Sequence, residues 1–169
     1  MKAKHFVAVT AVVLLGFGLV FGHPHFSKTV SAKTQTHEVE LSYFTLPYNE
    51  ARLSQIAEGY VFITGGATLS IKKGTLSNSG HSFGPGEYAL RARANSVDSW
   101  DLLLVAKADA GEDGNDMSKA VKLETKTITG TAEGHHLTLD MTGGHGEDDG
   151  KLVVWVWFGP RVVQSAFTM

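Results

Sequence analysis

The sequence contains no cysteine among its 169 residues. This absence excludes disulfide bonds, metal sites built from thiolates, cysteine nucleophiles and a cysteine for lipid attachment. A folded domain of this chain must therefore be held together by its sheet core alone, whatever the redox state of its compartment.

The chain also has little net charge, because 15 lysines and arginines stand against 17 aspartates and glutamates. The basic residues form no patch, which argues against nucleic acid as a partner. The length predicts one domain, and the 43% hydrophobic and 19% charged residues are ordinary for a globular protein. The 19 glycines are typical of a turn-rich β fold.

The first 22 residues have the pattern of a secretory signal peptide, with two lysines before an apolar run at 6–21 and Val20-Phe21-Gly22 as the cleavage site. The alternative is an uncleaved anchor helix, although the run is at the short end of the roughly 17–25 residues that a membrane span needs. We predict a periplasmic or secreted protein that contacts the membrane only through an uncleaved signal segment. Its predicted parts are a signal peptide at 1–22, which forms an N-terminal signal helix, and a folded domain at 23–169.

The stretch around which the chain is organised begins with a Gly-Pro-Gly turn at residues 84–86. After the turn, Tyr88, Leu90 and Ala92 alternate with alanine or arginine, which indicates a half-buried strand. Residues 100–105 are apolar enough to predict a strand covered on both faces. The two strands together predict the central hairpin of a β-sheet.

Most of the remaining chain also has the period of a strand. A helix is predicted only at 49–59, where a surface loop is the alternative. Residues 72–82 are interpreted as a loop that encloses a short strand at 75–76. Pro160 is expected to interrupt the last apolar run. The total of eight or nine strands predicts an all-β protein with a single antiparallel β-sandwich or jelly-roll-like domain. The further predicted strands lie at 38–43, 60–63, 67–71, 121–125, 136–141 and 152–159, and the weaker candidates, both for edge strands, lie at 27–36 and 162–167.

Several of these pieces resemble the bacterial family called domain of unknown function 2911. The resemblance covers residues 23–159 and rests on Pro24-His25, Tyr43 with Pro47, and the hairpin pieces at 85–90 and 100–104. The chain lacks the Trp-Arg-x-Gly-Ala segment of typical members, so it is identified as a divergent relative. The resemblance implies an exported β-sandwich, and it implies no catalytic residues, because the family brings no established reaction.

Histidine is the candidate metal ligand in a chain without cysteine. If the signal is cleaved after Gly22, the mature chain begins His23-Pro24-His25. The α-amine and imidazole nitrogens of such a terminus suit Cu(II), in the manner of a histidine brace. We therefore name His23 and His25 as candidate copper ligands. The alternatives for the second histidine are His135, His136 and His145, and the competing interpretation is that all of these are surface or packing histidines.

Two acidic, glycine-containing loops are weaker candidates for a cation site. In the loop that starts at Asp109, Gly111 and Ala120 occupy the third and twelfth positions, where a calcium-binding EF-hand requires ligands. His145 lies beside three carboxylates in the other loop, but glycines flank it on both sides. We predict that both loops are solvated.

No catalytic constellation stands out in the sequence. Ser82 follows His81, but the Gly-x-Ser-x-Gly context of a nucleophile elbow is absent. Glu38 and Glu40 share one strand face, and sequence alone does not give the separation of carboxylates that hydrolysis requires. We predict that the protein is not an enzyme.

Three tryptophans, Trp100, Trp155 and Trp157, offer another kind of site, because indole rings stack on sugars. Trp155 and Trp157 are two residues apart on a predicted strand and so share one face, whereas Val154 and Val156 occupy the other. The preferred interpretation is that the tryptophan face belongs to the core. The alternative is an exposed patch that binds a partner or ligand.

The sequence thus predicts an exported protein with a non-catalytic binding or structural role, whose ligand or protein partner is unknown. Two alternatives are a periplasmic copper-binding protein that uses its N-terminal His-Pro-His, and a carbohydrate-binding module that uses its tryptophans.

Overall fold

The computed structural model describes residues 25–53, 55–112, 114 and 116–169, without the side chains of residues 52–53 and 129–133. The predicted signal helix and His23 lie outside these residues. Within the described ranges, no helix is long and apolar enough to cross a membrane. The described chain is all-β and forms two antiparallel sheets, which confirms the predicted fold class at this level.

The larger sheet has seven strands: β1 Ser27–Lys33, β2 Glu38–Phe44, β3 Val61–Phe62, β4 Thr68–Lys73, β7 Gly86–Ser96, β8 Ser99–Ala106 and β9 Val121–Lys122. Their order is β1-β2-β4-β7-β8-β9, and β3 pairs with β7 beyond the end of β4. The first strand lies at an edge, as predicted. In β2, Val39, Leu41 and Tyr43 are buried, so the alternation in the sequence identified the inner face correctly.

The smaller sheet has four strands: β5 Leu76–Asn78, β6 His81–Phe83, β10 Lys126–Gly143 and β11 Lys151–Thr168, in the order β10-β11-β5-β6. The prediction of a loop at 72–82 is wrong, because β5 and β6 form a tight hairpin there. Ser79 and Gly80 have φ angles of 52° and 77°, which are the left-handed values of a two-residue hairpin turn. Serine rarely adopts this conformation, so the sequence did not indicate the turn.

Two other predictions are corrected by the structure. Eleven strands are described, where eight or nine were predicted. The predicted helix at 49–59 is a single turn in the described residues, α1 Glu50–Leu53. The chain turns back soon after it, because Tyr60 N donates to Ala57 O and Gly59 N donates to Ala94 O. Backbone pairing with β7 therefore prevails over a short and weak helical pattern.

The central hairpin of β7 and β8 is covered on both faces. Tyr88, Leu90 and Ala92 face the main core as predicted. The opposite face was predicted to be solvated, but Ala89 and Arg91 are buried on it. Residues of the segment 107–120 cover this face, where Ala110, Met117 and Ala120 form a second small apolar cluster with Ala89 and Val105.

The hairpin of β10 and β11 is bent back on itself. A straight strand of its length would span about 55–60 Å. Lys126 at its open end nevertheless lies 3.2 Å from Glu147 at its tip, measured from Nζ to Oε2. The register shifts near Gly134, and Gly159 opposite has a φ of 63°, which locates the bend. Pro160 does not interrupt β11, contrary to the prediction.

The two sheets share one hydrophobic core and are also joined at one corner. The larger sheet contributes Leu41, Leu69, Leu90, Leu102 and Leu104, and the smaller sheet contributes Leu76, Leu139, Val154, Val156 and Phe167. At the corner, Tyr48 N donates to His135 O at 2.9 Å, and Leu137 N donates to Leu46 O at 2.7 Å.

Candidate functional site

His25 is the one predicted copper ligand that the structure describes. It is exposed and immediately precedes β1, with Nδ1 2.9 Å from the carbonyl oxygen of Thr45. Because a carbonyl oxygen can only accept, Nδ1 carries the proton and Nε2 of the neutral ring keeps a free lone pair. Metal-binding histidines are commonly oriented by such a bond. The geometry at His25 is therefore compatible with a ligand role.

The other described histidines do not gather around His25 into a metal site. His37 uses both ring nitrogens, with Nδ1 2.9 Å from Thr36 Oγ1 and Nε2 3.2 Å from Thr75 O. His135, His136 and His145 are exposed on β10 and on the hairpin tip. In the described part of the chain, no three histidines or carboxylates are grouped as a metal site would require.

The tryptophan face of β11 does not belong to the shared core. Val154 and Val156 are in that core, and Trp155 and Trp157 lie on the opposite face, so the preferred interpretation of these tryptophans is wrong. Both rings are half-buried, and the Trp157 ring lies against Gly134. The Nε1 atom of Trp155 is buried and has no hydrogen-bond partner among the described residues. A sugar platform needs open ring faces, so the carbohydrate alternative stays a prediction without support from this geometry.

Trp100 instead lines a recess between the two sheets. The recess has a volume of about 350 Å³, including its open mouth, and its exposed wall surface is entirely apolar. Its enclosed inner part is narrow, with a volume of about 30 Å³. The lining residues are Phe62, Ala92, Trp100, Val156, Phe158, Arg161 and Val163.

Strand pairing explains how distant residues meet at this recess. The pairing of β3 with β7 places Phe62 opposite Ala92. The hydroxyl Oγ1 of Thr127 lies 3.3 Å from both the backbone N and the backbone O of Trp100, so it joins the start of β10 to β8. Val163 pairs with Thr127 and thereby reaches the same place.

The aromatic walls of the recess support one another. The rings of Phe62 and Phe158 are stacked, with centroids 5.3 Å apart and planes inclined at 29°. Tyr48 packs edge-on against Phe158 at 5.3 Å. The indole Nε1 of Trp100 donates to Val97 O at 3.2 Å, so its hydrogen-bonding need is met within the chain. The walls are therefore largely preformed, as is usual for small-molecule sites.

The bend in β11 explains why an arginine lies in this apolar place. Before Gly159, the even-numbered residues Val154 and Val156 face the core, whereas Val163 and Phe167 face it after the bend. At Gly159 and Pro160 the alternation of inward and outward side chains shifts by one residue. The side chain of Arg161 therefore points inward. Without the bend, its side chain would point to the opposite face of the strand.

In this position the guanidinium of Arg161 does not make all the hydrogen bonds it could donate. Only 14% of its side chain is exposed, and its Nη2 lies 3.2 Å from Oδ1 of Asp98. Its Nε is buried and, in the described part of the chain, has no hydrogen-bond partner. Asp98 lies in the β7–β8 turn and its side chain is 72% exposed, so its attraction to Arg161 is screened by water.

Asp101 is the buried carboxylate nearest to Asp98 in the sequence, and it is paired with cations other than Arg161. Its side chain lies 2.8 Å from Arg93 and 3.1 Å from Lys122. Burial alone would raise the pKa of Asp101, but hydrogen bonds from Arg93, Asn95 and Lys122 outweigh burial and lower the pKa. Asp101 is therefore ionised at neutral pH and bound to partners other than Arg161.

Two further depressions have charged walls, and their lysines are paired within the chain. At the tip of the long hairpin, Lys126 pairs with Glu147, and Lys151 pairs with Asp148 at 2.9 Å. In the groove beside β6 and β9, Lys119 pairs with Asp109. The recess between the sheets is the better candidate for a ligand site, because its exposed walls are apolar and aromatic and are open to solvent.

No pattern in the sequence predicts this recess. Its walls come from four strands, β3, β7, β8 and β11, that are separated by up to about a hundred residues, and no local motif marks them. One signal was present, because Arg161 is the only charged residue between Lys151 and the end of the chain. The arginine interrupts the apolar pattern of the strand, and the strand bends just before it, at Gly159.

Comparisons of the chain with family models, with curated proteins and with solved structures found no match. The resemblance to domain of unknown function 2911 therefore stays a prediction.

Proposed function

We propose that this chain is an exported, non-catalytic binding protein whose β-sandwich domain holds a small apolar ligand between its two sheets. The ligand site is the recess lined by Phe62, Trp100 and Phe158, closed at one side by Arg161. Export and processing rest on the pattern of residues 1–22.

The apolar recess open to solvent is the observation that carries this proposal. Water in such a space finds few hydrogen-bond partners, so its displacement by an apolar group is favourable. Rings that are already stacked against one another require little reorganisation when a ligand enters. The narrow inner part of the recess favours a flat ligand.

The chemistry of the lining supports binding rather than catalysis. Arg161 is the only ionisable residue among the seven that line the recess. Guanidinium does not lose its proton in proteins, so it cannot serve as a general base.

The test is a titration of the full chain, in its naturally processed form, with phenylacetamide, a flat and uncharged probe. Tryptophan fluorescence should change saturably, with a dissociation constant on the order of 0.1–1 mM for so small a ligand. In the Ala92→Leu variant the larger side chain fills the recess, and the saturable change should be lost. The matched control is Ala120→Leu, which lies in the second apolar cluster on the opposite face of the sheet. Equal binding by the Ala92→Leu variant, at unchanged thermal stability, would refute the proposal.

A second candidate function is copper binding at the processed N-terminus, favoured by the bond between His25 and Thr45. That bond leaves the Nε2 lone pair of the neutral ring free, and the α-amine and ring of His23 would complete a nitrogen ligand set for Cu(II). The naturally processed protein should give a single tetragonal signal in electron paramagnetic resonance at one equivalent of Cu(II).

Two variants test the copper site. His25→Ala should abolish the signal, and one alanine placed before His23 should do the same, because both remove a ligand. His37→Ala is the control, since both ring nitrogens of His37 already contact the chain. Weak and heterogeneous copper binding in the unmodified protein would exclude this function.

A further inference from the structure

We propose that the side chain of Arg161 is a movable wall of the recess, held closed by its ion pair with Asp98. Rotation of this side chain into solvent opens the recess to its ligand. The inference rests on the proposed function, because it concerns the same recess and adds the way in which access to it is controlled. It is carried by the contacts of Arg161 and by the size of the enclosed space.

The enclosed part of the recess is too small for a ligand that contains a ring. Its volume is about 30 Å³, whereas sites for small molecules have volumes of about 300–1,000 Å³. Such a ligand therefore enters only if part of the wall moves. Among the seven lining residues, Arg161 alone has a long, unbranched side chain, and the others carry rings, branched chains or a methyl group.

The stem and the head of the Arg161 side chain lie in different surroundings. The exposed surface of the recess is entirely apolar, so only the alkyl stem of Arg161 faces it. The guanidinium reaches from β11, in the smaller sheet, to the β7–β8 turn of the larger sheet. There Nη2 lies 3.2 Å from Oδ1 of Asp98. The side chain thus crosses from one sheet to the other, and Asp98 holds its far end.

The closed position of Arg161 is weakly held. The side chain of Asp98 is 72% exposed, so water and salt screen its attraction to the guanidinium. The Nε atom of Arg161 is buried and, among the residues described, meets no acceptor. A buried donor without an acceptor costs free energy, and rotation of the side chain into solvent gives this donor a water partner. The ion pair therefore closes the wall, and the unsatisfied Nε opposes it.

The rest of the recess keeps its shape when Arg161 moves. Phe62 of the larger sheet and Phe158 of the smaller sheet are stacked, so the two sheets stay in contact beside the recess. The indole of Trp100 is held by its bond to Val97 O. Opening thus requires the rotation of one side chain. A ligand in the room that the stem vacates keeps the wall open, so its apparent affinity rises with the fraction of open molecules.

The experiment measures the rate of phenylacetamide binding to the full, naturally processed chain by stopped-flow fluorescence, at low and at high concentrations of NaCl. The probe is uncharged, so its encounter with the protein has no salt dependence of its own. We expect high salt to raise the association rate by about two- to fivefold, the factor that corresponds to loss of a weak ion pair. The dissociation rate should stay unchanged.

Two variants test whether the ion pair causes this effect. Asp98→Ala, at an exposed turn position, should bind at low salt as fast as the wild type does at high salt, with no further rise. Arg161→Met keeps an unbranched apolar stem without the charge and should behave in the same way. Asp149→Ala on the exposed hairpin tip is the matched control and should keep the wild-type rate and its rise with salt.

A second measurement follows the wall without any ligand. The Nε–H proton of Arg161 is buried in the closed position, so its exchange with water reports the fraction of open molecules. Nuclear magnetic resonance of the ¹⁵N-labelled chain measures this exchange, and Arg161→Lys assigns the signal. Exchange should be about two- to fivefold faster in Asp98→Ala than in the wild type.

The outcomes separate this inference from the proposed function. Binding of phenylacetamide at a rate that neither salt nor Asp98→Ala changes would overturn the movable wall and leave the apolar binding site intact. Equal Nε–H exchange in Asp98→Ala and the wild type would also overturn the movable wall. Faster exchange in Asp98→Ala, together with no binding of phenylacetamide, would support the movement of Arg161 and refute the recess as a ligand site.

Discussion

Arg93 and Asp101 stand directly opposite each other on β7 and β8, and Arg93 Nη2 lies 2.8 Å from Asp101 Oδ2. Lys122 on β9 approaches the other carboxylate oxygen at 3.1 Å, so one nearly buried carboxylate joins three neighbouring strands. Ala92 of the recess precedes Arg93. The ion pairs therefore hold the strands that form one wall of the proposed site.

Replacing Asp101 with asparagine should weaken the fold. Asparagine keeps the shape and loses the charge that both cations meet, and we expect the free energy of unfolding at pH 7 to fall by about 1–2 kcal/mol. Urea unfolding, followed by tryptophan fluorescence, measures this change. The control Asp149→Asn should leave the free energy of unfolding within about 0.5 kcal/mol of the wild-type value. An Asp101→Asn variant as stable as that control would show that the pairs contribute nothing.

The carboxylate of Asp101 should also make the free energy of unfolding depend on pH in the acidic range. Hydrogen bonds lower the pKa of Asp101 in the folded chain, whereas the unfolded chain has an ordinary aspartate pKa of about 3.9. The contribution of Asp101 is therefore complete above about pH 4 and is lost as the pH falls through the lower folded-state pKa. The difference in unfolding free energy between wild type and Asp101→Asn should shrink between pH 4 and the acid limit of the fold. A difference that stays constant over this range would contradict the assignment.

Replacing Arg91 with lysine should destabilise the fold more than replacing it with methionine, although lysine is chemically more similar to arginine. Only 5% of Arg91 is exposed, and it donates to Leu90 O at 2.9 Å, Ala67 O at 3.3 Å and Gly114 O at 2.8 Å. Lysine keeps a buried charge without the fork that reaches three carbonyls, so Arg91→Lys should cost about 2 kcal/mol of stability. Arg91→Met should cost less, because it removes the buried charge altogether. Urea unfolding ranks the two variants, and the reverse order would refute this account of Arg91.

Gly159 is a position where an added methyl group has no room. Its φ is 63°, and a Cβ there would lie 2.2 Å from a ring atom of Tyr48. Gly159→Ala should therefore lower the unfolding free energy by about 2–4 kcal/mol. Because Tyr48 packs against Phe158, the variant should also weaken phenylacetamide binding.

Gly143→Ala is the matched control for Gly159→Ala, in the same hairpin. No atom lies within 4 Å of its added Cβ, and its φ is not left-handed. Its thermal unfolding midpoint should stay close to that of the wild type. If both variants unfolded at the same temperature, the bend at Gly159 would not be constrained in the way described.

Short-range patterns in the sequence predicted the parts of the fold that depend on one strand and its two faces. The alternation in β2 and the continuous apolar run of β8 were interpreted correctly, because burial of one or both faces leaves a direct trace in the sequence. The β5–β6 hairpin was missed because Ser79 is an unusual residue for a left-handed turn.

Features that depend on distant segments were not predictable in this way. Arg91 is buried because residues of 107–120 fold over it, and its own strand carries no sign of that cover. Pro160 was expected to interrupt β11. The strand continues because β5 joins its other side only at Thr168, so an absent N–H is tolerated.

The candidate site shows the same limit. Trp100 was considered as a sugar-stacking residue, and Arg161 was not considered. Their meeting depends on the pairing of β3 with β7 and on the bend of β11 at Gly159. Both are consequences of tertiary structure that a local pattern does not encode.

The most direct test of the central claim, that the recess is a ligand site, is a nuclear magnetic resonance titration of the ¹⁵N-labelled chain with phenylacetamide. The three tryptophan indole signals report on different places, and the Trp100→Phe variant assigns the one in the recess. The account predicts a saturable shift of the Trp100 signal, with those of Trp155 and Trp157 unmoved. A titration that leaves Trp100 unmoved, or that shifts Trp155 and Trp157 instead, would contradict it.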